Sequence, residues 1–140
     1  MEGIFTPTKV QQIKKHIDKF LDNELINTGI SRLEAVYIGC LKDNIGISLI
    51  ELTNLVHFDK ANTTRVISEL ELKGLVTRKV DEKDTRKYKI YLTEKAKELE
   101  IFILNSKLKL NKIAFEGVSN KEKEVFEQTL EKIIENLNNI

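Results

Sequence analysis

A mainly α-helical chain with one small β-hairpin is the fold class this sequence predicts, on three observations. Residues 59–93, DKANTTRVISELELKGLVTRKVDEKDTRKYKIYLT, read in order as a helix, a strand, a charged loop and a second strand. A shorter helix, Ser48–Val56, sits just upstream, and a short helix feeding a longer one is a helix-turn-helix. Long amphipathic segments flank this unit on both sides. Together they outline a winged helix-turn-helix with additional N- and C-terminal helices.

Each element has its own signals. Thr6-Pro7-Thr8 opens the first helix: proline suits the first helical turn, and Thr8 with Gln11 has capping-box spacing. Its apolar stripe is Val10, Ile13, Ile17, Phe20, Leu21 and Leu25, and Gly29 ends it. Ser31 and Glu34 form a capping box for a second helix reaching Lys42, and Ser48 and Glu51 one for the third. Asp59 supplies an acceptor at the N-cap of the fourth helix, and Gly74 stops it. Within it Val66, Ile67 and Leu70 recur at helical spacing and face a core. Strands follow at Leu75–Val80 and Tyr88–Thr93, with Val76, Val80, Ile90 and Leu92 as their apolar sides, joined by the charged loop Asp81–Lys87. Thr93 is positioned to cap a long fifth helix ending near Phe115, and Ser119 with Glu122 a last helix ending near Leu137.

Composition bounds the function. The 140 residues suit one domain, and 41% hydrophobic with 32% charged residues suits a soluble, helix-rich protein. No apolar run is long enough to span a membrane, and the N-terminus MEGIFTPTKV lacks a signal-peptide pattern, so a cytoplasmic protein with no membrane partner is expected. Cys40 is the sole cysteine and the histidines are His16 and His57, which makes no usual zinc site. No nucleophile–base–acid set, phosphate loop or metal-ligand spacing is visible, so neither an enzyme nor a cofactor is expected.

The net charge of +1 is unevenly distributed. Residues 59–97 hold eleven Lys/Arg against seven Asp/Glu, so the rest of the chain is net negative. The excess positive charge coincides with the fourth helix and the charged loop. On that helix Lys60, Asn62, Thr64, Arg65 and Ser68 point away from the apolar stripe, mostly in its first two turns. Asn and Arg can each make bidentate contacts to base edges in the major groove, and Lys and Thr reach phosphates or bases. Double-stranded DNA is therefore the expected partner. The charge separation is modest, so affinity is expected to need two copies acting together. The last helix repeats Phe126, Leu130, Ile133, Leu137 and Ile140 at alternating spacings of four and three, a narrow seam suited to another helix. The fifth carries Leu99, Phe102, Ile103, Leu110, Ile113 and Phe115, more apolar surface than one neighbour covers. A homodimer through the first, fifth and last helices is expected, with residues 31–97 as the DNA-binding lobe and residues 1–30 and 98–140 as dimerisation helices.

At this point the chain resembles the MarR family of bacterial winged-helix regulators over nearly its whole length. The resemblance is carried by LTNLVHFDKANTTRVISELELKGLVTRKVDEKDTRKYKIYLTEKA, 52–96, with Asp84-Thr85-Arg86 similar to the wing-tip acid-x-arginine motif and Leu92-Thr93-Glu94-Lys95 to the element that follows the wing. It implies a dimeric transcriptional regulator, read here as a repressor. The helix 59–73 would enter the major groove, and Arg86, oriented by Asp84 with Lys87 beside it, the minor groove. The chain departs from the commonest pattern at Glu82, Thr85 and Ala96, where proline, arginine and glycine are frequent, which implies a less basic wing. The resemblance also implies a small-molecule effector pocket between the lobe and the dimer helices, with Phe20, Tyr37 and Cys40 as its candidate lining. Two alternatives stand beside this reading: a winged-helix protein-interaction module, and a redox sensor built on Cys40. His57, at the turn before the recognition helix, is expected to pack that turn, and His16 to lie on the first helix near its stripe.

Overall fold

A computed structural model of the chain describes residues 7–140. Thr6, the first residue of the expected Thr6-Pro7-Thr8 opening, lies outside the described residues. The elements are α1 (Pro7–Leu25), α2 (Arg32–Asp43), β1 (Ile47–Ser48), α3 (Leu49–Val56), α4 (Lys60–Leu72), β2 (Val76–Val80), β3 (Tyr88–Leu92), a 3-10 turn at Glu94–Ala96, α5 (Lys97–Ala114) and α6 (Asn120–Asn138). The chain divides into two compact units, one ending at Ser106 and the other running Lys107–Ile140.

Local chemistry sets the boundaries. Pro7 is the first residue of α1, so Thr8 lies inside the helix and is not its cap. Ser31 and Ser48 cap α2 and α3, each in a complete capping box with Glu34 and Glu51. Asp59 Oδ1 accepts the Asn62 N–H at 2.7 Å and starts α4. Gly74, at φ +73°, turns the chain out of α4 in the left-handed region. Two expected caps differ. Ser119 accepts the Glu122 N–H, but no reciprocal bond from the Glu122 side chain completes a box. Thr93 occupies the cap position, yet its hydroxyl donates to the Gly74 carbonyl at 2.6 Å, because that orphaned carbonyl at the end of α4 is within reach. A 3-10 turn therefore precedes α5.

The sheet has three strands, one more than the sequence pattern indicates. β1 is only two residues long and pairs antiparallel with β3, Ile47 opposite Ile90, giving the order β1-β3-β2. Two residues carry no period, so β1 is created by its partner strand. β2 and β3 pair with Val76 opposite Leu92, Arg78 opposite Ile90 and Val80 opposite Tyr88. Val76 and Ile90 are buried, Leu92 is half-buried, and Val80 is half exposed because it lies at the wing end of the hairpin.

The core of the first unit gathers Tyr37, Ile38 and Leu41 of α2, Leu52 of α3, Val66, Ile67 and Leu70 of α4, and Ile90 and Ala96. Each large side chain buried there contributes roughly 1.5–3 kcal/mol of transfer free energy. α1 reaches this core through Leu25, whereas Val10 and Ile13 of its stripe stay about half exposed. Asp18 and Asp22 tie α1 to Arg32 of α2, and this pairing, with Lys14 beside it, holds the Asp18 carboxyl below the ordinary aspartate range. In the second unit the Phe115 and Phe126 rings meet edge to face at 6.2 Å, with the Lys123 ammonium over Phe115. α6 buries no residue, and Phe126, Leu130 and Leu137 of its seam are exposed. Among the described residues no helix is long and apolar enough to cross a membrane.

Candidate nucleic-acid interface

α3 and α4 are joined by a tight turn, Val56 to Lys60. His57 occupies the turn at φ +58°, the left-handed region that non-glycine residues seldom adopt. Asp59 then returns to extended backbone and caps α4, so the first two turns of that helix begin at an exposed end.

The expected α4 residues do not all have the same freedom. Lys60 and Arg65 are exposed. The Arg65 guanidinium donates to Glu69 Oε1 at 3.0 Å and to Asn62 Oδ1 at 3.4 Å, so Asn62, Arg65 and Glu69 form one strip at helical spacing. The Thr64 hydroxyl donates to the Lys60 carbonyl. Ser68 is held from the side: its Oγ accepts from Arg78 at 3.1 Å, while Arg78 Nε donates to Glu71 Oε1 at 2.5 Å. Arg78 thereby ties β2 to α4. Its register explains this: it shares a sheet face with buried Val76 and Ile90, which is the face turned to α4.

The wing loop organises itself. The Asp81 N–H donates to the Lys87 carbonyl and the Lys87 N–H to the Asp84 carbonyl, both at 2.9 Å. Asp84 Oδ1 accepts both the Arg86 backbone N–H and Arg86 Nε at 3.1 Å. The carboxylate thus closes the turn and pairs with the arginine at the tip, whose side chain is 89% exposed. The Arg86 side chain first, and its backbone N–H second, hold the Asp84 carboxyl below the usual aspartate range. A depressed carboxyl stabilises the folded wing above its unfolded value of about 3.9, and that contribution is lost as pH falls through the lower folded value. Arg86→Ala is expected to raise the Asp84 pKa part of the way back, the backbone N–H remaining. Carbon-detected NMR titration of the carboxyl measures this, and an unmoved pKa would mean that the pair does not form in solution.

Lys60 from α4, Arg78 from β2 and Arg86, Lys87 and Tyr88 from the wing come together around one groove of about 280 Å³. Ser48, Leu49, Ile50 and Glu51 of the α3 start and Ile90 complete it. Its lining carries four cations, of which Arg78 and Arg86 are already paired with Glu71 and Asp84, so Lys60 and Lys87, against Glu51, are left to attract an anion over an apolar floor. Arg78 is the contributor that sequence reasoning missed; its place opposite Ile90 in the hairpin register is the signal that could have found it.

The residues expected to line an effector pocket fall elsewhere. Tyr37 is fully buried, its hydroxyl hydrogen-bonded to Thr63 at 2.9 Å and its ring stacked on Phe58. Cys40 packs half-buried against the core, and Phe20 is half-buried on α1. Among the described residues no group of His, Cys, Asp and Glu could hold a metal ion.

A three-stranded sheet, a helix-turn-helix and a structured charged hairpin define the winged helix-turn-helix class. Comparison with known proteins places the chain more closely. The family profile described as "MarR family" matches residues 30–88. The uncharacterised HTH-type transcriptional regulator YdgJ of Bacillus subtilis is 30% identical over 113 residues, 81% of this chain and 69% of that protein. A MarR protein from Peptoclostridium difficile superposes with a TM-score of 0.89 at 26% identity, over 99% of this chain and 92% of the other. MepR of S. aureus, in a structure described as a MepR-DNA complex, has the same fold, with a TM-score of 0.87 at 21% identity over 96% and 99% of the two chains. The chain belongs to the MarR family of transcriptional regulators.

Proposed function

We propose that this chain is a homodimeric, sequence-specific binder of double-stranded DNA that acts as a repressor. In this reading residues 31–97 form the DNA-binding lobe, and the N- and C-terminal helices join two copies. α4 lies in the major groove, where Lys60, Asn62, Thr64 and Arg65 face bases and phosphates, and the wing places Arg86 at the minor groove, steadied by Asp84 and flanked by Lys87. Ser68 acts through Arg78, as a brace between α4 and the wing. The observation that carries the reading is the convergence of Lys60, Arg78, Arg86 and Lys87 on one groove, because it brings basic side chains from the start of α4 and from the wing to one surface.

Selection on randomised duplexes tests the assignment. A roughly palindromic site is expected, with half-sites about one helical turn, roughly 10–10.5 bp, apart. Asn62→Ala is expected to relax preference at one base per half-site and to cost about 1–3 kcal/mol. Arg86→Ala is expected instead to weaken the preference for A·T-rich flanks, since an arginine in a narrow minor groove reads width more than base identity. Unchanged affinity and flank preference in Arg86→Ala would remove the wing from the reading. Through its first turns the exposed face of α4 is polar, with Lys60, Asn62, Thr64 and Arg65, which speaks against a protein-interaction module, although Leu72 at its end is 89% exposed.

A small-molecule effector that releases DNA is also proposed: beside the Phe20, Tyr37 and Cys40 lining, where the Tyr37 hydroxyl is already spent on Thr63, the groove at Lys60 and Arg86 is a second candidate site. An amphiphilic carboxylate placed there would compete with DNA for Lys60 and Arg86. Thermal-shift screening of aromatic and aliphatic carboxylates, with and without the selected duplex, tests this. Hits insensitive to Arg78→Ala would locate the effector elsewhere.

A further inference from the structure

α4 is held at both ends by one face of α2. At its N-terminal end Thr63 is fully buried, although it lies on the helix that carries the polar face. Its hydroxyl donates to the Asp59 carbonyl at 3.2 Å, which leaves its lone pairs to accept the Tyr37 hydroxyl at 2.9 Å. At the other end the Lys73 ammonium donates to Glu34 Oε1 at 2.8 Å, to Glu34 Oε2 at 2.7 Å and to the Gly29 carbonyl at 2.9 Å. Glu34 is 4% exposed, and its Oε1 also accepts the Ser31 N–H that starts α2.

Glu34 and Tyr37 are three residues apart, one above the other on α2. Their partners are ten residues apart, about 15 Å along α4 at 1.5 Å per residue. Two fixed points that far apart restrain both the translation of a helix and its tilt. Neither pair is needed merely to fill space. Each is a polar contact within or beside an apolar core, where a defined geometry is enforced because the alternative is an unpaired buried group.

We infer that Glu34 and Tyr37 are positioning residues for DNA recognition: through Lys73 and Thr63 they clamp the two ends of α4 and set the pose in which Lys60, Asn62 and Arg65 meet the bases. The inference rests on the proposal that α4 reads DNA. It makes base preference depend on residues that cannot touch DNA, since Thr63, Tyr37 and Glu34 are all buried.

The test uses the full chain and selection on randomised duplexes, with fold and oligomeric state checked by circular dichroism and sedimentation. Thr63→Val keeps the shape and removes the hydroxyl; Thr63→Ser restores it. Glu34→Gln keeps the shape and removes the charge that holds Lys73. Thr63→Val and Glu34→Gln are each expected to lower the ratio of best to second-best base at the positions read by Asn62 and Arg65 at least fivefold, and Thr63→Ser to recover most of it. If Thr63→Val does not fold, Glu34→Gln and Thr63→Ser decide by the same ratio. Folded variants that lose thermal stability but keep the wild-type base profile overturn the positioning role. Failure of the wild-type chain to select any duplex would instead overturn the DNA-binding reading beneath it.

Discussion

Exchanging Ile133 and Leu137 for aspartate in the same chain is expected to leave a 16.2 kDa monomer that no longer binds its selected duplex. α6 is a helix of 19 residues with no buried side chain, and Leu137 is 55% exposed. Val10 and Ile13 of α1 and Ile113 of α5 are likewise uncovered within the chain. A second copy of the same chain is the simplest cover for such faces, because a twofold axis matches each with itself. Burying one apolar side chain of this size is worth roughly 1.5–3 kcal/mol, so removing two from each protomer takes away several times that amount. The aspartates add the cost of desolvating unpaired charge. DNA binding should fail together with assembly, since one lobe keeps only half of the phosphate contacts. Sedimentation at micromolar concentration reads the first effect and fluorescence anisotropy with the selected duplex the second. A wild-type chain that sediments as a monomer would sink the prediction.

Salt is expected to act as strongly. Each lobe offers Lys60, Arg65, Arg78, Lys79, Lys83, Arg86, Lys87 and Lys89 on or beside α4 and the hairpin. If six to ten phosphates are neutralised by two lobes, affinity falls about 10³- to 10⁵-fold between about 50 and 200 mM salt. Arg86→Ala should lower the slope of log affinity against log salt by about one per protomer. The chain's net charge of only +1 makes this informative: the dependence must come from local arrangement, not from overall attraction. A flat response, or a preference for single strands, would count against the duplex reading.

Much of this protein is legible in its sequence because much of it is local. Ser31, Ser48, Asp59 and Gly74 mark the ends of α2, α3 and α4 through bonds made within a few residues. The spacing of Val66, Ile67 and Leu70 identifies the buried side of α4, and the alternation around Val76 and Ile90 identifies the hairpin. The acid-x-arginine pattern at Asp84 and Arg86 foretells a contact two residues long. By itself, then, the sequence determined the order of the helices, the starts of α2, α3 and α4, the hairpin, and the polar face carried by α4. Only the tertiary structure decided the rest. β1 exists because Ile47 meets Ile90; Thr93 serves Gly74 and not its own helix; Ser68 is spent on Arg78; and Tyr37 closes on Thr63 inside the core. The physical reason is range. Caps and periods are satisfied between neighbours along the chain, whereas a hydroxyl or guanidinium takes whichever acceptor folding brings near, and no local pattern names a partner ten or more residues away.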